Sequence, residues 1–227
     1  MNEHHRPVRS FVRREGRMTA AQQRALQELS PQYALPDDNG EVLDLDTLFG
    51  RGSERWLEIG CGNGDALVSL ATQHPERDFI GIEVHRPGVG HLLGKLAENG
   101  CRNARIASED AVEVLQQRIP DASLAAVLLW FPDPWPKKRH HKRRIVNPAF
   151  VELVCRKLRS GGFFHLATDW EEYAQWMVEV LESSPGLRNR VAPGAFTSRP
   201  EWRIETRFER RGLRLGHAVF DLIYEKP

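Results

Sequence analysis

The chain has 227 residues, of which 41% are hydrophobic, and a formal net charge of +1. It is long enough to bury one sizeable core, and its apolar runs stay well short of the roughly 18 residues that span a membrane. Its three cysteines are widely spaced and its Cys/His spacing is not that of a zinc site, so we expect a cytoplasmic protein without disulfides, metal or membrane contact.

The N-terminal part is predicted to be an arm followed by one short helix. Residues 1–18 are basic and lack hydrophobic periodicity, which predicts a flexible arm. Thr19 and Gln22 match a capping box, so a helix is predicted over 19–29, with a stop at Ser30 and Pro31. Residues 31–54 are rich in Pro, Asp and Gly and are predicted to connect this helix to the main domain.

From residue 55 the chain alternates short apolar runs with longer amphipathic segments. This alternation predicts an α/β fold with a mainly parallel sheet and helices on both faces. Strands are predicted at 56–59, 79–84, 103–108, 124–130 and 163–168, and helices at 65–74, 88–99, 111–118, 148–158 and 170–181.

The tail departs from this rhythm. Residues 188–200 are predicted to be a loop, and Thr206 with Glu209 matches a second capping box that opens a short helix. Residues 218–224 alternate in polarity, which predicts an antiparallel strand near an edge of the sheet. We therefore divide the chain into an arm with its helix, 1–32, and one domain, 33–227.

Candidate ligand positions follow three successive predicted strands. Gly60 and Gly62 follow the first strand, Glu83 ends the second and Asp110 follows the third. Ligands of open α/β sheets bind beyond the carboxyl ends of the strands, where an acid at the end of the second strand accepts from ribose hydroxyls. A dinucleotide site is disfavoured because Asp65 stands where that fingerprint requires its third glycine.

A proline-framed loop, FPDPW at residues 131–135, follows the fourth predicted strand. It carries one carboxylate, Asp133, and one large aromatic, Trp135, and the basic run 137–144 comes directly after it. Prolines restrict the backbone, so the loop is expected to hold these side chains in place. The combination suggests a pocket for a base beside a phosphate-binding rim, in which Trp135 is either a base-stacking residue or a core or hinge aromatic.

Basic residues form three clusters despite the near-neutral total. Any one cluster is compatible with a solvated surface, but three of them favour a shared nucleic-acid-binding face. The clusters are Arg6 to Arg17, Lys137 to Arg144, and Arg199 to Arg214, the last diluted by glutamates.

The motif Leu57-Glu58-Ile59-Gly60-Cys61-Gly62 resembles the first motif of class I S-adenosylmethionine-dependent methyltransferases. The resemblance implies a Rossmann-like fold with a mostly parallel seven-stranded sheet, flanked by helices, whose last strand is antiparallel. It implies that S-adenosylmethionine is bound without a metal. Its methionine part would lie near Glu58, Gly60 and Gly62, its ribose near Glu83 and its adenine near Asp110, with Asp133 at the same site.

Further motifs resemble the tRNA (guanine-N7-)-methyltransferase family over nearly the whole chain. They are RSFVRR at 9–14, the FPDPW loop with Lys137, HLATD at 165–169 and TRFERRG at 206–212. The resemblance implies methyl transfer to N7 of the variable-loop guanosine, position 46, of tRNA, with Asp133 as the catalytic residue. The implied substrate contacts are Lys137, Asp169, Thr206, Arg207, Phe208 and Glu209.

Two alternatives remain open at this point. An amino methyltransferase acting on adenine N6 or protein glutamine would carry Asn/Asp-Pro-Pro-aromatic, whereas this chain has Asp133-Pro134-Trp135-Pro136. Pro136 also stands where the tRNA family leads us to expect His. A non-catalytic RNA-binding subunit of the same fold is the second alternative. We expect no obligate protein partner, and a monomer is favoured over a homodimer.

Overall fold

The computed structural model of the protein describes residues 9–11 and 16–227, without the side chains of Arg207, Phe208 and Leu213. The strands are β1 (Arg55–Ile59), β2 (Asp78–Ile82), β3 (Ala104–Ala107), β4 (Leu124–Trp130), β5 (Leu158–Thr168), β6 (Arg188–Asn189) and β7 (Phe220–Glu225). The helices are α1 (Ala20–Tyr33), α2 (Leu45–Phe49), α3 (Asp65–Gln73), α4 (Arg86–Glu98), α5 (Ala111–Gln117), α6 (Pro148–Lys157), α7 (Glu171–Glu182) and α8 (Arg207–Arg214).

The strands form one seven-stranded sheet in the order β3-β2-β1-β4-β5-β7-β6. Strands β1 to β5 pair in parallel, and β7 runs antiparallel between β5 and the short edge strand β6. The predicted sheet, with its antiparallel last strand, is confirmed. The loop predicted over 188–200 is wrong at its start, because Arg188 and Asn189 pair with β7. Two residues are too few to show a strand periodicity.

Two apolar layers cover the faces of the sheet. Strand β4 is buried along its whole length and alternates its side chains between the layers. Val127 and Leu129 pack into one layer, and Ala126, Leu128 and Trp130 pack into the other. A strand that is covered on both faces reads as a continuous apolar run, which is why β4 is recognisable from sequence.

The first helix runs further than predicted, and the segment after it is not wholly irregular. The capping box at Thr19 forms as predicted, but α1 continues through Pro31 to Tyr33. Proline removes only one backbone donor here, while Tyr33 is buried and the Ala34 N–H bonds to the carbonyl of Ser30. The predicted connecting segment 31–54 also contains α2, whose N-terminal N–H groups are capped by Asp44.

The start of β5 also differs from the prediction. The strand begins at Leu158 rather than at residue 163, because buried Leu158 pairs with Leu124 before a register shift. The prediction that Gly161 and Gly162 end the preceding helix is wrong, because α6 ends at Lys157 and both glycines lie inside β5, where their backbone bonds to that of Lys226. Helix α1 packs on α4, where a side chain at Gly90 would meet the backbone of Gln22. The domain boundary at residue 32 stays a prediction.

Candidate active site

A cavity of about 740 Å³ opens at the carboxyl ends of β1, β2 and β4. It lies where the strand order reverses between β1 and β4, the usual ligand position in open α/β sheets. Six of the predicted site residues line it, namely Glu58, Gly60, Gly62, Glu83, Asp133 and Thr206. The side chains of Lys137, Asp169 and Glu209 lie outside the lining, and Asp110 lies one residue from the lining residue Ala111.

Two glycines and one acid shape the cofactor end of the cavity. Gly60 and Gly62 have φ values of 76° and 57°, which glycine adopts without strain, and the space on their Cα atoms is open. Glu83 Oε2 accepts from the Gly62 N–H at 2.7 Å, and its Oε1 accepts from the His85 N–H at 2.8 Å. Glu83 therefore ties the glycine turn to the end of β2.

Glu58 is buried in the wall of this cavity, with 5% of its surface exposed. Within the described part of the chain, no group donates a hydrogen bond to its Oε2. Burial, and then the nearby carboxylate of Glu83, raise the pKa of Glu58 from 4.5 to about 8. A cationic ligand would satisfy this oxygen and reverse the shift. The residues present thus fit the ammonium of S-adenosylmethionine.

Asp110 caps a helix and keeps part of its hydrogen-bonding capacity. It is buried, and its Oδ1 accepts from the Val112 N–H at 2.9 Å, which caps the N-terminus of α5. The same acid thus orients the helix that begins with the cavity residue Ala111. A single hydrogen bond leaves acceptor capacity on the carboxylate for a ligand.

The FPDPW loop, residues 131–135, is held in a strained backbone conformation. Phe131 and Trp135 have φ values of 54° and 46°, which non-glycine residues rarely adopt. Such residues persist only where their surroundings hold them, and they cluster at functional sites. Here the Phe131 N–H bonds to the carbonyl of Ala167 at 2.7 Å. The loop presents Asp133 as an exposed side chain at the cavity wall.

Arg144 holds the same loop from inside the protein. Its Nε donates to the carbonyl of Pro134 at 3.0 Å, and its guanidinium lies over the ring of Tyr173 at 4.9 Å. It also pairs with Glu172 at 3.1 Å. The prediction that Arg144 contacts RNA with its neighbours is wrong, because only 3% of the residue is exposed. The preceding residues, Lys138–Arg143, form an exposed to half-exposed 3₁₀ helix.

Trp135 joins the loop to the N-terminal arm. Its Nε1 donates to the carbonyl of Ser10 at 3.0 Å, and Arg143 lies over its ring at 4.9 Å. Ser10 and Phe11 line the cavity. These contacts give Trp135 a structural role in joining the loop to the arm. Sequence reasoning missed them because the arm has no periodicity. The predicted RNA contacts Arg6, Arg13 and Arg14 lie outside the described residues.

The two ends of the predicted substrate segment 206–209 differ, because Thr206 is half-buried at the cavity and Glu209 is buried away from it. Thr206 lines the cavity and its Oγ1 accepts from the Glu209 N–H at 3.1 Å, which completes one half of the predicted capping box. The Glu209 carboxylate instead pairs with buried Arg203 at 2.5 and 3.0 Å. Only the backbone of Arg207 and Phe208 is described, as the first turn of α8.

Asp169 lies beside this helix and outside the cavity lining. Its Oδ2 is 3.6 Å from His217 Nδ1, and a side chain at Gly212 would collide with it. Within residues 9–11 and 16–227, no group of three or more His, Cys, Asp or Glu is arranged to hold a metal ion. Over the same residues, every helix is too short or too polar to cross a membrane.

The sheet order, the glycine turn and the acids at the strand ends define the class I S-adenosylmethionine-dependent methyltransferase fold. Two solved structures share it. A structure titled as an antibiotic-related methyltransferase has a TM-score of 0.60 at 15% identity and covers 86% of this chain and 98% of its own. The 16S rRNA methyltransferase KamB has a TM-score of 0.58 at 15% identity and covers 86% and 99%.

A family model described as "Putative methyltransferase" matches residues 53–222. The tRNA (guanine-N(7)-)-methyltransferase of Alkalilimnicola ehrlichii is 59% identical over 97% of this chain and 93% of its own length. That of Alcanivorax borkumensis is 56% identical over 97% and 92%. The chain belongs to the tRNA (guanine-N(7)-)-methyltransferase family. The family resemblance noted in the sequence is thereby confirmed.

Proposed function

We propose that this protein transfers the methyl group of S-adenosylmethionine to N7 of a guanosine in tRNA. The observation that carries the proposal is that Glu58, Glu83, Asp133 and Thr206 line one and the same cavity. One end of this cavity suits the cofactor, and the other end has a carboxylate on a rigid loop. Membership of the family supports the same reaction.

The cofactor would be held by the residues at the ends of β1, β2 and β3. Glu58, Gly60 and Gly62 would hold the methionine part, Glu83 would accept from the ribose hydroxyls, and Asp110 would meet the adenine edge. Bound S-adenosylmethionine supplies an electrophilic sulfonium methyl group. The protein's share of the work is to orient this ligand and to exclude water from the cavity.

Guanine N7 needs little chemical help from the protein. It carries an in-plane lone pair and no proton, so its methylation requires no general base. It requires in-line approach within a tight pocket, which is a problem of proximity. We assign Asp133 to accept from guanine N1–H and the exocyclic amine and to stabilise the positive charge that develops on the purine. Adenine lacks this donor pair, so the same carboxylate would select guanine.

The remaining predicted contacts are assigned to substrate binding. Asp169 would assist Asp133, Lys137 would meet a phosphate or the base, and Thr206 would contact the base from the cavity rim. Residues 207 and 208 would follow Thr206 along the substrate.

We further propose that the exposed 3₁₀ helix and the N-terminal arm contact the tRNA backbone without reading its sequence. Tight binding should then weaken steeply with salt, because phosphate contacts release counterions. Removal of residues 1–18 should weaken binding again and reduce the salt dependence. The target would be the variable-loop guanosine, position 46, and the enzyme would act in the cytoplasm as a metal-free monomer. Affinity that does not change with salt would contradict the RNA-binding part of this proposal.

The test is to incubate the protein with labelled S-adenosylmethionine and unmodified tRNA and to identify the product nucleoside by mass spectrometry. We expect 7-methylguanosine, and none from a matched tRNA with adenosine at position 46. N6-methyladenosine would instead support an amino methyltransferase. Cofactor binding without transfer to tRNA would direct the search to protein glutamine or to a non-catalytic RNA-binding role.

A further inference from the structure

Arg203 is fully buried and connects three parts of the protein around the substrate end of the cavity. Its Nη1 and Nη2 donate to the Glu209 carboxylate of α8 at 2.5 and 3.0 Å. Its Nη2 also donates to Asp221 of β7 at 2.9 Å. The guanidinium carbon lies 5.8 Å from the ring centroid of Phe131, the first residue of the FPDPW loop. One side chain therefore touches the loop, the sheet and α8.

Asp221 is fixed in turn by a buried histidine. Trp130 Nε1 donates to His165 Nδ1 at 3.2 Å, so the imidazole proton lies on Nε2, which donates to Asp221 at 2.8 Å. Burial lowers the pKa of His165 and outweighs the carboxylate of Asp221, which keeps the imidazole neutral. Trp130 immediately precedes the FPDPW loop. The chain of contacts from Trp130 to Arg203 thus begins and ends beside that loop.

Two arginines and two carboxylates face each other in this cluster. Arg203 carries one positive charge against the carboxylates of Glu209 and Asp221, and Arg199 approaches Glu209 at 3.4 Å from the surface. Arg203 Nε also lies 2.7 Å from Asp221 Oδ1. The two atoms form an ion pair, but the angle at the N–H is too unfavourable for a hydrogen bond. A buried and largely satisfied network of this kind resists displacement of any one member.

We propose that Arg203 is a positioning residue that sets the separation between the FPDPW loop, which carries Asp133, and the first turn of α8, which places Thr206 at the cavity. Glu209 then acts through Arg203 and not on the guanine, since its side chain is buried and lies outside the cavity lining. The inference rests on the proposed function. It replaces the predicted base contact of Glu209 with a structural one that controls the geometry of the reaction.

A double-mutant cycle separates the two roles of Glu209. Arg203→Lys, Glu209→Gln and the double variant are compared by kcat, KM for tRNA and affinity for S-adenosylmethionine. We expect each single variant to lose at least about tenfold in kcat, because small misplacements of reacting groups are costly. Cofactor affinity should stay within about threefold of wild type. The double variant should have a kcat no lower than that of the slower single variant, because each single substitution already breaks the same pair between Arg203 and Glu209. If the kcat of the double variant instead falls by the product of the two single losses, the proposal is overturned.

A second measurement does not depend on activity. Hydrogen exchange of the α8 amides at 207–214 should accelerate at least about tenfold in Arg203→Lys. Arg190→Lys is the matched control, because Arg190 pairs with Glu225 at the opposite end of β7 and lies over an aromatic ring, that of Phe163. It should leave α8 exchange unchanged. Unchanged exchange in Arg203→Lys would also overturn the proposal.

Failure of the proposed function and failure of the positioning role of Arg203 give different results. If wild-type protein makes no 7-methylguanosine, the proposed function fails, while hydrogen exchange still tests the link between Arg203 and α8. If Arg203→Lys does not fold, Glu209→Gln carries both measurements, because Glu209 joins Arg203 to α8. It should lose at least about tenfold in kcat and accelerate α8 exchange at least about tenfold, and unchanged exchange would overturn the proposal.

Discussion

The two ends of the cavity are built in different ways. At the cofactor end, the backbone forms the site, and Glu83 holds the Gly62 and His85 N–H groups of neighbouring segments. At the substrate end, buried side chains form it, and Arg144 and Arg203 reach the FPDPW loop from other elements. On the proposed function, the two ends therefore carry different tasks, ligand binding at the first and reaction geometry at the second. Substitutions at the first end should act on affinity, and substitutions at the second should act on kcat.

Asp133 provides the largest test of this separation, because it lines the cavity on the FPDPW loop at the substrate end. Asp133→Ala should lower kcat by roughly a thousandfold or more, since it removes a charge placed to stabilise the transition state. The affinity for S-adenosylmethionine, measured by calorimetry, should change by less than about threefold. Asp133→Asn is the matched variant of nearly equal size. Full activity in either variant would refute the catalytic assignment.

Glu58 provides the reverse test. Glu58→Gln should weaken S-adenosylmethionine binding by roughly 10- to 100-fold, because it removes a charge-assisted hydrogen bond in a buried site. At saturating cofactor, kcat should stay within about threefold of wild type. Glu54→Gln, which alters an exposed acid just before β1, is the control and should bind normally. Equal losses in both variants would argue against a specific cofactor contact.

The raised pKa of Glu58 makes the stability of the ligand-free protein depend on pH. Its pKa is about 8 in the folded protein against 4.5 ordinarily, so the protonated acid is favoured by folding. This contribution is fully present below pH 4.5 and is lost as the pH rises through 8, by roughly 3–5 kcal/mol. Between pH 5 and 9, the melting temperature of wild type should fall relative to that of Glu58→Gln. Parallel curves would contradict the shift.

Arg144 tests how firmly the loop must be held. Arg144→Lys keeps the charge but loses the Nε bond to the Pro134 carbonyl, and we expect kcat to fall by about tenfold. The melting temperature should drop by about 4–8 °C, which corresponds to roughly 2 kcal/mol in a chain of this size. Arg156→Lys changes an exposed arginine of α6 and serves as the control. A kcat equal to that of wild type would show that the loop keeps its shape without this anchor.

The smallest effect is expected at Trp135. Trp135→Phe keeps a ring for Arg143 but removes the N–H that bonds to Ser10, a contact of about 1 kcal/mol. Stopped-flow measurement should show S-adenosylmethionine dissociating about threefold faster, because Ser10 and Phe11 would cover the cavity less firmly. Trp176→Phe removes a similar bond to the Val146 carbonyl, far along the chain from the arm, and should leave dissociation unchanged. If S-adenosylmethionine dissociates from the two variants at the same rate, the contact between Trp135 and the arm does not help to retain the cofactor.

The cofactor end was largely predictable from the sequence, because its features are local. The glycines after β1 and the acids after β2 and β3 can be recognised in the sequence because each follows an apolar run that predicts a strand. The carboxyl ends of parallel strands then bring such residues together. The substrate end was only partly predictable. A basic run does not reveal that Arg144 is buried while its neighbours are exposed. A capping box likewise does not reveal that Glu209 binds Arg203, since that choice depends on Asp221, a residue in β7.

Glu83 has one more consequence. A carboxylate offers about four lone-pair positions, and the backbone N–H groups of Gly62 and His85 use two of them. The side chain can therefore brace the turn and still receive two hydroxyl donors. On the proposed function, ligand binding would require no exchange of partners at this acid. We therefore expect the turn to keep its shape when ligand binds, so that the cost of ordering it is met during folding.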